Sequence, residues 1–78
     1  MEFITSEPRL QEVLNQGQGY LANRFGRHFK VHDLQHLHNH CRGRLRYNQE
    51  NHKYLAYDTR YFDEAWGREN WDFCELCQ

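Results

Sequence analysis

The fold class follows from residues 33–57, which read DLQHLHNHCRGRLRYNQENHKYLAY. Across 34–45, apolar residues recur every three or four positions, which is the spacing of one helix face. From 44 to 47, apolar and charged residues alternate instead, and a polar loop leads back into the run 54–57. This second pattern is typical of a β-hairpin. A helix followed by a hairpin predicts an α+β fold.

An N-terminal helix is predicted over residues 8–25, where one apolar stripe recurs at helical spacing. Pro8 suits its first turn, and Gly26 suits a left-handed residue at its end. Gly17 lies on the stripe, so it either admits a close neighbour or divides the helix into two. Before the helix, residues 1–5 are expected to form a short edge strand or a disordered start.

A short C-terminal helix is predicted between Thr59, a suitable N-cap residue, and Gly67, a suitable helix end. The aromatic residues that follow, Trp71 and Phe73, are expected to pack. No repeat, low-complexity tract or linker interrupts the chain. Residues 1–78 are therefore expected to form one small α+β domain with an N-terminal helix, a second helix, a β-hairpin and a short C-terminal helix.

Composition limits the function classes open to a chain of 78 residues. Hydrophobic residues make up 38% of it, so the core must be thin, and a deep catalytic pocket that excludes water is difficult to build. We therefore expect a protein that is not an enzyme. No apolar run approaches the ~20 residues that cross a bilayer, and no secretory leader opens the chain. A cytoplasmic protein without membrane contact is expected.

Charge is distributed unevenly along the chain, although the formal net charge is only −1. The basic segment, residues 24–46, carries six Lys or Arg residues and a single acid, Asp33, whereas the segments before and after it are acidic. This segment is expected either to contact phosphates or an acidic protein surface, or to pair with the acidic C-terminal residues of its own chain. The isoelectric point of 6.6 argues against stable sequence-independent DNA binding, for which values above ~9 are usual.

A CxxC motif near the C-terminus can hold one metal ion between its two thiolates. The expected ligands of a tetrahedral structural zinc ion are His38, Cys41, Cys74 and Cys77. His36 and His40, four residues apart on the same predicted helix, are the substitute histidine pair. Without metal, the cysteines would be small buried hydrophobic residues. Their odd number, three, argues against a closed disulfide framework.

The favoured function is a small non-catalytic binding protein, an inhibitor or regulator of the type that phages and mobile elements direct against host defence. It is expected to dock, as a monomer or homodimer, through a basic and aromatic face on a protein complex that handles nucleic acid. Arginine and aromatic anchors dominate binding hot spots, and we expect Arg46 and Tyr54 to be exposed. The expected partner-binding residues are Arg24, Arg27, Lys30, Arg42, Arg44, Arg46, Tyr47 and Tyr54.

Two other functions remain open from the residues alone. One is a zinc-stapled nucleic-acid-binding module, in which the basic segment contacts the phosphates of DNA or RNA and Tyr47 or Tyr54 stacks on bases. The other is a small RNase-like toxin that uses arginine and histidine for acid–base chemistry. The tripeptide His38-Asn39-His40 spells HNH, but the predicted hairpin follows it instead of preceding it. A metal-dependent nuclease is therefore not expected.

Overall fold

Five strands build the central sheet of the computed structural model, which describes residues 1–77. The strands are Glu2–Ile4 (β1), Tyr20–Phe25 (β2), His28–Asp33 (β3), Lys53–Ala56 (β4) and Trp71–Phe73 (β5). The helices are Glu7–Gln16 (α1), Asn39–Arg44 (α2) and Arg60–Trp66 (α3), with short 3-10 turns at Leu34–His36 and Arg68–Asn70. The sheet order is β1-β4-β2-β3-β5, antiparallel except for the parallel pair β3 and β5. The α+β class is confirmed.

The strand register divides the side chains of the sheet between two faces. Leu21 pairs with Leu55 across β2 and β4, and both pack with the buried stripe of α1, which includes Leu10 and Leu14. We call this the α1 face. On the opposite side, the α3 face, a largely aromatic cluster packs around Phe62 of α3. None of the helices in the described part of the chain is both long and apolar enough to span a bilayer.

The prediction of the N-terminal helix is correct only for its first half. α1 has Ser6 as N-cap, whose hydroxyl oxygen accepts a hydrogen bond from the Arg9 N–H, and it ends at Gly17 with φ 66°. The prediction is wrong for residues 18–25, because Gly19 with φ 81° leads the chain into β2. β2 is the central strand and pairs with β3 and β4. Pairing along both edges outweighs the helical spacing of its apolar residues.

The second helix and the region after it also differ from their predicted bounds. The helix predicted over 34–45 is divided into a 3-10 turn and the six-residue α2. Residues 44–47 form no strand, because the chain stays tied to the helices on the α1 face. Leu45 ends α2 and packs in the core, and the Tyr47 N–H donates to the Glu7 carboxylate on α1.

The tight hairpin occurs earlier in the chain than predicted. Phe25 pairs with His28, which leaves a two-residue turn that opens with Gly26 at φ 61°. Glycine suits a positive φ at this position, where the turn matches the twist of its strands. Other predictions are confirmed: β1 is an edge strand, β4 covers most of the predicted returning strand, α3 lies between Thr59 and Gly67, and the tail packs as β5.

We expect Gly19→Ala to lower the free energy of unfolding by about 1–3 kcal/mol, because the strained φ and the new contacts act together. A Cβ there would lie 2.9 Å from the Ala56 carbonyl oxygen and 2.9 Å from Tyr57 Cδ1. The matched control is Gly43→Ala in α2, where a Cβ meets nothing within 4 Å. It should leave stability unchanged or raise it by up to about 1 kcal/mol. Urea unfolding of both variants checks this, and equal losses would contradict it.

Candidate metal centre and adjoining basic cleft

One imidazole and three thiols meet where the C-terminal tail reaches the α1 face of the sheet. The group consists of His32, Cys41, Cys74 and Cys77, and the atoms that could bind a metal all lie within 4.8 Å of one another. Cys41 Sγ is 3.6 Å from Cys74 Sγ, and His32 Nδ1 is 3.5 Å from Cys77 Sγ. We call this group the metal centre.

Three separate elements deliver these side chains. His32 pairs with Leu21 across β2 and β3, so its ring lies on the α1 face, and Cys41 is the buried residue of α2. The two tail cysteines follow β5, in a turn closed by a hydrogen bond of 3.1 Å from the Cys77 N–H to the Cys74 carbonyl. Backbone hydrogen bonds hold this turn against β3. The Cys74 N–H donates to the Val31 carbonyl, and the Asp33 N–H donates to the Cys77 carbonyl.

The distances fit a tetrahedral metal ion. Metal–sulfur bonds of about 2.3 Å at the tetrahedral angle place two sulfurs about 3.8 Å apart, close to the 3.6 Å between Cys41 Sγ and Cys74 Sγ. A disulfide would need about 2.05 Å, and the three cysteines are free thiols. The four side chains can therefore hold one metal ion.

Burial sets the protonation states that such an ion would meet. Desolvation lowers the pKa of His32 to about 4, so the imidazole is neutral at pH 7, the form that binds metals. Desolvation, with hydrogen bonds to the other two thiols, raises the pKa of Cys41 to about 12. The Cys41 thiol therefore stays protonated at pH 7 unless a cation compensates the charge of its thiolate.

His38 is not a member of the metal centre, so the sequence-based ligand set is wrong at this position and His32 takes its place. The prediction assumed one helix through both His38 and Cys41, but α2 begins only at Asn39 and His38 is its N-cap. The exposed His38 ring accepts a hydrogen bond from the His40 N–H. Its own backbone N–H donates to Cys77 Sγ over 3.4 Å, a contact that would orient a metal-bound sulfur.

The substitute histidine pair also lies outside the metal centre. His36 and His40 are exposed, and His36 Nδ1 lies 3.0 Å from the Asp33 carboxylate. The sequence does contain a signal for the direction of the His32 side chain. Phe29 and Val31 alternate with polar residues, and His32 is the next polar residue in this pattern. Such alternation is typical of a strand, in which the His32 side chain points away from those of Phe29 and Val31.

A cleft of about 520 Å³ opens beside the metal centre on the α1 face. The sheet forms its floor, and α2, the segment after α2 and the tail form its walls. Its basic and imidazole side chains are Lys30, His32, His40, Arg44, Arg46 and Lys53. Within residues 1–77, no Asp or Glu lines it. We call it the basic cleft, and its composition favours an anionic ligand.

The basic cleft contains half of the predicted partner-binding residues: Lys30, Arg44, Arg46 and Tyr47. Arg46 is exposed, as predicted. Arg24 and Arg27 lie at the β2–β3 turn and do not line the cleft. Arg42 connects α2 to α1, because its guanidinium donates to the Asn15 side chain and to the Leu14 carbonyl.

Tyr54 lies on the α3 face, so the prediction that it is exposed is wrong. Tyr54 is half-buried, with its ring 5.2 Å from that of Trp66 and 5.1 Å from that of Phe3. Several cleft residues were not predicted from the sequence, among them Asn23, Phe25 and Lys53. They are far apart in sequence, and only strand pairing brings them together.

The arginines of the basic segment are not neutralised by the acidic C-terminal region. Among residues 1–77, only Lys30 of its six Lys and Arg side chains forms an ion pair, at 2.9 Å from Asp72. Lys30, together with His28, holds the pKa of Asp72 below its usual value. The five arginines bond only to backbone oxygens or neutral side chains, or have no recorded partner. Their positive charge remains available at the surface.

Comparison with protein-family models, with curated proteins and with solved structures finds no match for this chain. The metal centre and the basic cleft are therefore the features of the molecule that bear on its function.

We expect His32→Ala to weaken binding of Co²⁺ at least about 100-fold, because a ligand and not merely its support is removed. His38→Ala is the matched control and should keep the wild-type affinity. Co²⁺ titration reports binding through the absorption of the cobalt–thiolate bonds. His32→Cys, which restores a fourth ligand, should recover tight binding if His32→Ala fails to fold. A loss with His38→Ala alone would contradict this assignment.

Proposed function

We propose that this chain is a small non-catalytic module that binds single-stranded nucleic acid in the basic cleft, with a zinc ion stapling its C-terminal tail to the sheet. The observation that carries the proposal is the lining of the cleft, which within residues 1–77 combines basic side chains from three parts of the chain with no carboxylate. Phosphate contacts supply most of the affinity of such modules.

Zinc is the ion that the donor set favours. Three thiolates and one imidazole are soft and borderline ligands in the tetrahedral arrangement of structural zinc sites. Catalytic zinc usually has three protein ligands and an open position for water, whereas the metal centre offers four. This supports a structural role for the ion and a protein that is not an enzyme. We place the protein in the cytoplasm, where thiols stay reduced.

Aromatic side chains beside the cations favour a single strand. Phe25 lines the cleft and is 56% exposed, and Tyr47 lines it from the segment after α2. Bases of a flexible strand can stack on such rings while arginines track the phosphates. The floor of the cleft is the sheet itself, and within residues 1–77 no helix or ribbon extends from it to enter a duplex groove. A single strand is therefore the ligand that fits best.

We expect the protein to contain one zinc ion and to lose most of its stability when a chelator removes it. A structural zinc can contribute around 10 kcal/mol of apparent folding energy, which exceeds the stability of most small domains. Native mass spectrometry measures the stoichiometry, and circular dichroism with and without EDTA measures the melting temperature. Re-addition of zinc should restore it. An identical melting temperature in EDTA would rule out a structural ion.

We expect Arg44→Gln to weaken binding of a short single-stranded RNA about tenfold and to lower the salt slope of log Kd by about one, because one phosphate contact is lost. Arg44 is exposed and makes only a side-chain contact with His40, so its loss should spare the fold. The matched control is Arg60→Gln on α3, which removes the same charge away from the cleft and should change Kd less than about twofold. Fluorescence anisotropy over a salt series measures both.

A second candidate is the function favoured by the sequence, an inhibitor or regulator that docks on a nucleic-acid-handling protein complex. The observation that favours it is an aromatic patch around α3, where Tyr57 and Tyr61 are 62% and 51% exposed beside Arg60. Tyrosine and arginine are typical interface anchors. If wild-type protein binds no RNA or DNA at low salt but is retained by such a complex after nuclease treatment, this second function replaces the first.

A further inference from the structure

The floor of the basic cleft carries a polar row where a covered sheet face normally carries apolar side chains. Asn23 pairs with Lys53 on one side and with Lys30 on the other, so the three residues lie side by side across β4, β2 and β3. Lys53 is 4% exposed and Asn23 is 7% exposed. Burying these groups costs free energy unless each finds a partner.

Among residues 1–77, Lys53 forms no ion pair with a carboxylate. Its ammonium group donates to the Asn51 carbonyl over 3.0 Å, which leaves two of its three protons without a recorded acceptor. Glu7 is an acid that influences Lys53 electrostatically, but the Glu7 carboxylate already accepts from the Tyr47 N–H and the Gln11 amide.

The other charged groups around the floor do not compensate Lys53 either. Lys30 is already paired with Asp72. His32 belongs to the metal centre, and the other basic and imidazole side chains of the cleft, namely His40, Arg44 and Arg46, supply no negative charge. The cleft is also lined by Cys41 and Cys74, whose thiolates would be engaged by the metal ion. Burial lowers the pKa of Lys53, and only Glu7 opposes this shift. An anion in the cleft would supply the missing partner and keep the ammonium charged.

In the described part of the chain, Asn23 lacks a hydrogen-bond donor, whereas Lys53 lacks an anion. Its side-chain oxygen is the one buried side-chain polar atom in residues 1–77 without a hydrogen bond. This oxygen only accepts, so it needs a donor. A ligand that satisfies the whole floor must therefore combine an anion for Lys53 with a hydroxyl or amino group a few ångströms away for Asn23.

We propose that the floor of the basic cleft binds a terminal phosphomonoester of a nucleotide, with the phosphate on Lys53 and a neighbouring hydroxyl or amino group on Asn23. The sheet closes the cleft below these residues. A phosphodiester is bonded to a nucleoside on both sides, so it cannot point directly at the floor of a closed cleft. A terminal phosphomonoester is bonded to a nucleoside on one side only, so its free oxygens can reach the floor. This inference rests on the proposed function, since it names the part of a strand that the cleft would hold.

The test compares three forms of one short RNA by isothermal titration calorimetry: 5′-phosphorylated, 3′-phosphorylated and with hydroxyls at both ends. We expect one phosphorylated form to bind at least about tenfold more tightly than the hydroxyl form, because charge-assisted bonds to a buried ammonium are strong. AMP and inorganic phosphate are titrated in parallel. Tight AMP binding would identify a free nucleotide as a sufficient ligand, and AMP binding far weaker than the phosphorylated strand would identify a strand end.

Two nearly isosteric variants, Lys53→Met and Asn23→Leu, make the test independent of folding. Asn23→Leu replaces an oxygen that lacks a hydrogen bond, so its melting temperature should hold or rise. Lys53→Met removes one bond to the Asn51 carbonyl together with the cost of a buried charge, so its melting temperature should change little. The preference for the phosphorylated strand should fall to within about twofold for Lys53→Met and should also fall for Asn23→Leu. Arg60→Gln, which removes a positive charge outside the cleft, is the control and should keep the preference.

The failure of this inference is distinguishable from that of the proposed function. If all three RNA forms bind equally and Arg44→Gln still weakens them, the terminal-phosphate subsite is wrong and the single-strand function stands. If inorganic phosphate binds as tightly as any nucleotide, the floor takes an adventitious ion only and the inference is overturned. If no RNA form and no AMP bind, both are wrong.

Discussion

Closure of the C-terminal tail onto β3 and α2 is the constraint on which the rest of the structure depends. α1 covers the part of its sheet face that contains Leu21 and Leu55, whereas the part around His32 lies under α2 and the tail. α2 has six residues, too few to be stable by helix propensity alone. The metal centre is where both elements meet the sheet, so a metal ion there would replace the apolar packing that a chain of this size cannot supply.

This way of covering the sheet explains why its face can carry polar residues. A helix packed on the sheet needs a continuous apolar surface, as α1 has. A tail tethered by a metal ion would need only its ligands, which would leave neighbouring sheet positions free for Asn23 and Lys53. Groups buried without partners are destabilising, and proteins keep them mainly at binding sites. The same tether would thus permit the basic cleft and hold its walls at a fixed distance from the floor.

Local signals in the sequence predict the fold class, the edge strand β1, the end of α3 at Gly67 and three of the four metal-centre residues. They fail for β2 because its apolar spacing also fits a helix, and only pairing with β3 and β4 decides between the two. They miss His32 because the alternating pattern of β3 indicates only the direction of its side chain, whereas its partner Cys77 is 45 residues away. Contacts of that range, like the parallel pairing of β3 with β5, depend on the finished topology and have no local pattern.

The electrostatic surface shows the same dependence on topology. The basic segment contains six Lys or Arg residues. In the fold, Arg24 and Arg27 lie at the hairpin turn outside the cleft, and Lys30 forms an ion pair with Asp72. The fold adds Lys53 from the acidic third of the chain to the cleft. An isoelectric point of 6.6 therefore says little about this site, because a concave surface lined by one sign of charge concentrates its field whatever the net charge of the molecule. The basic character of the cleft therefore depends on the fold that the tail closure maintains, and net charge does not reveal it.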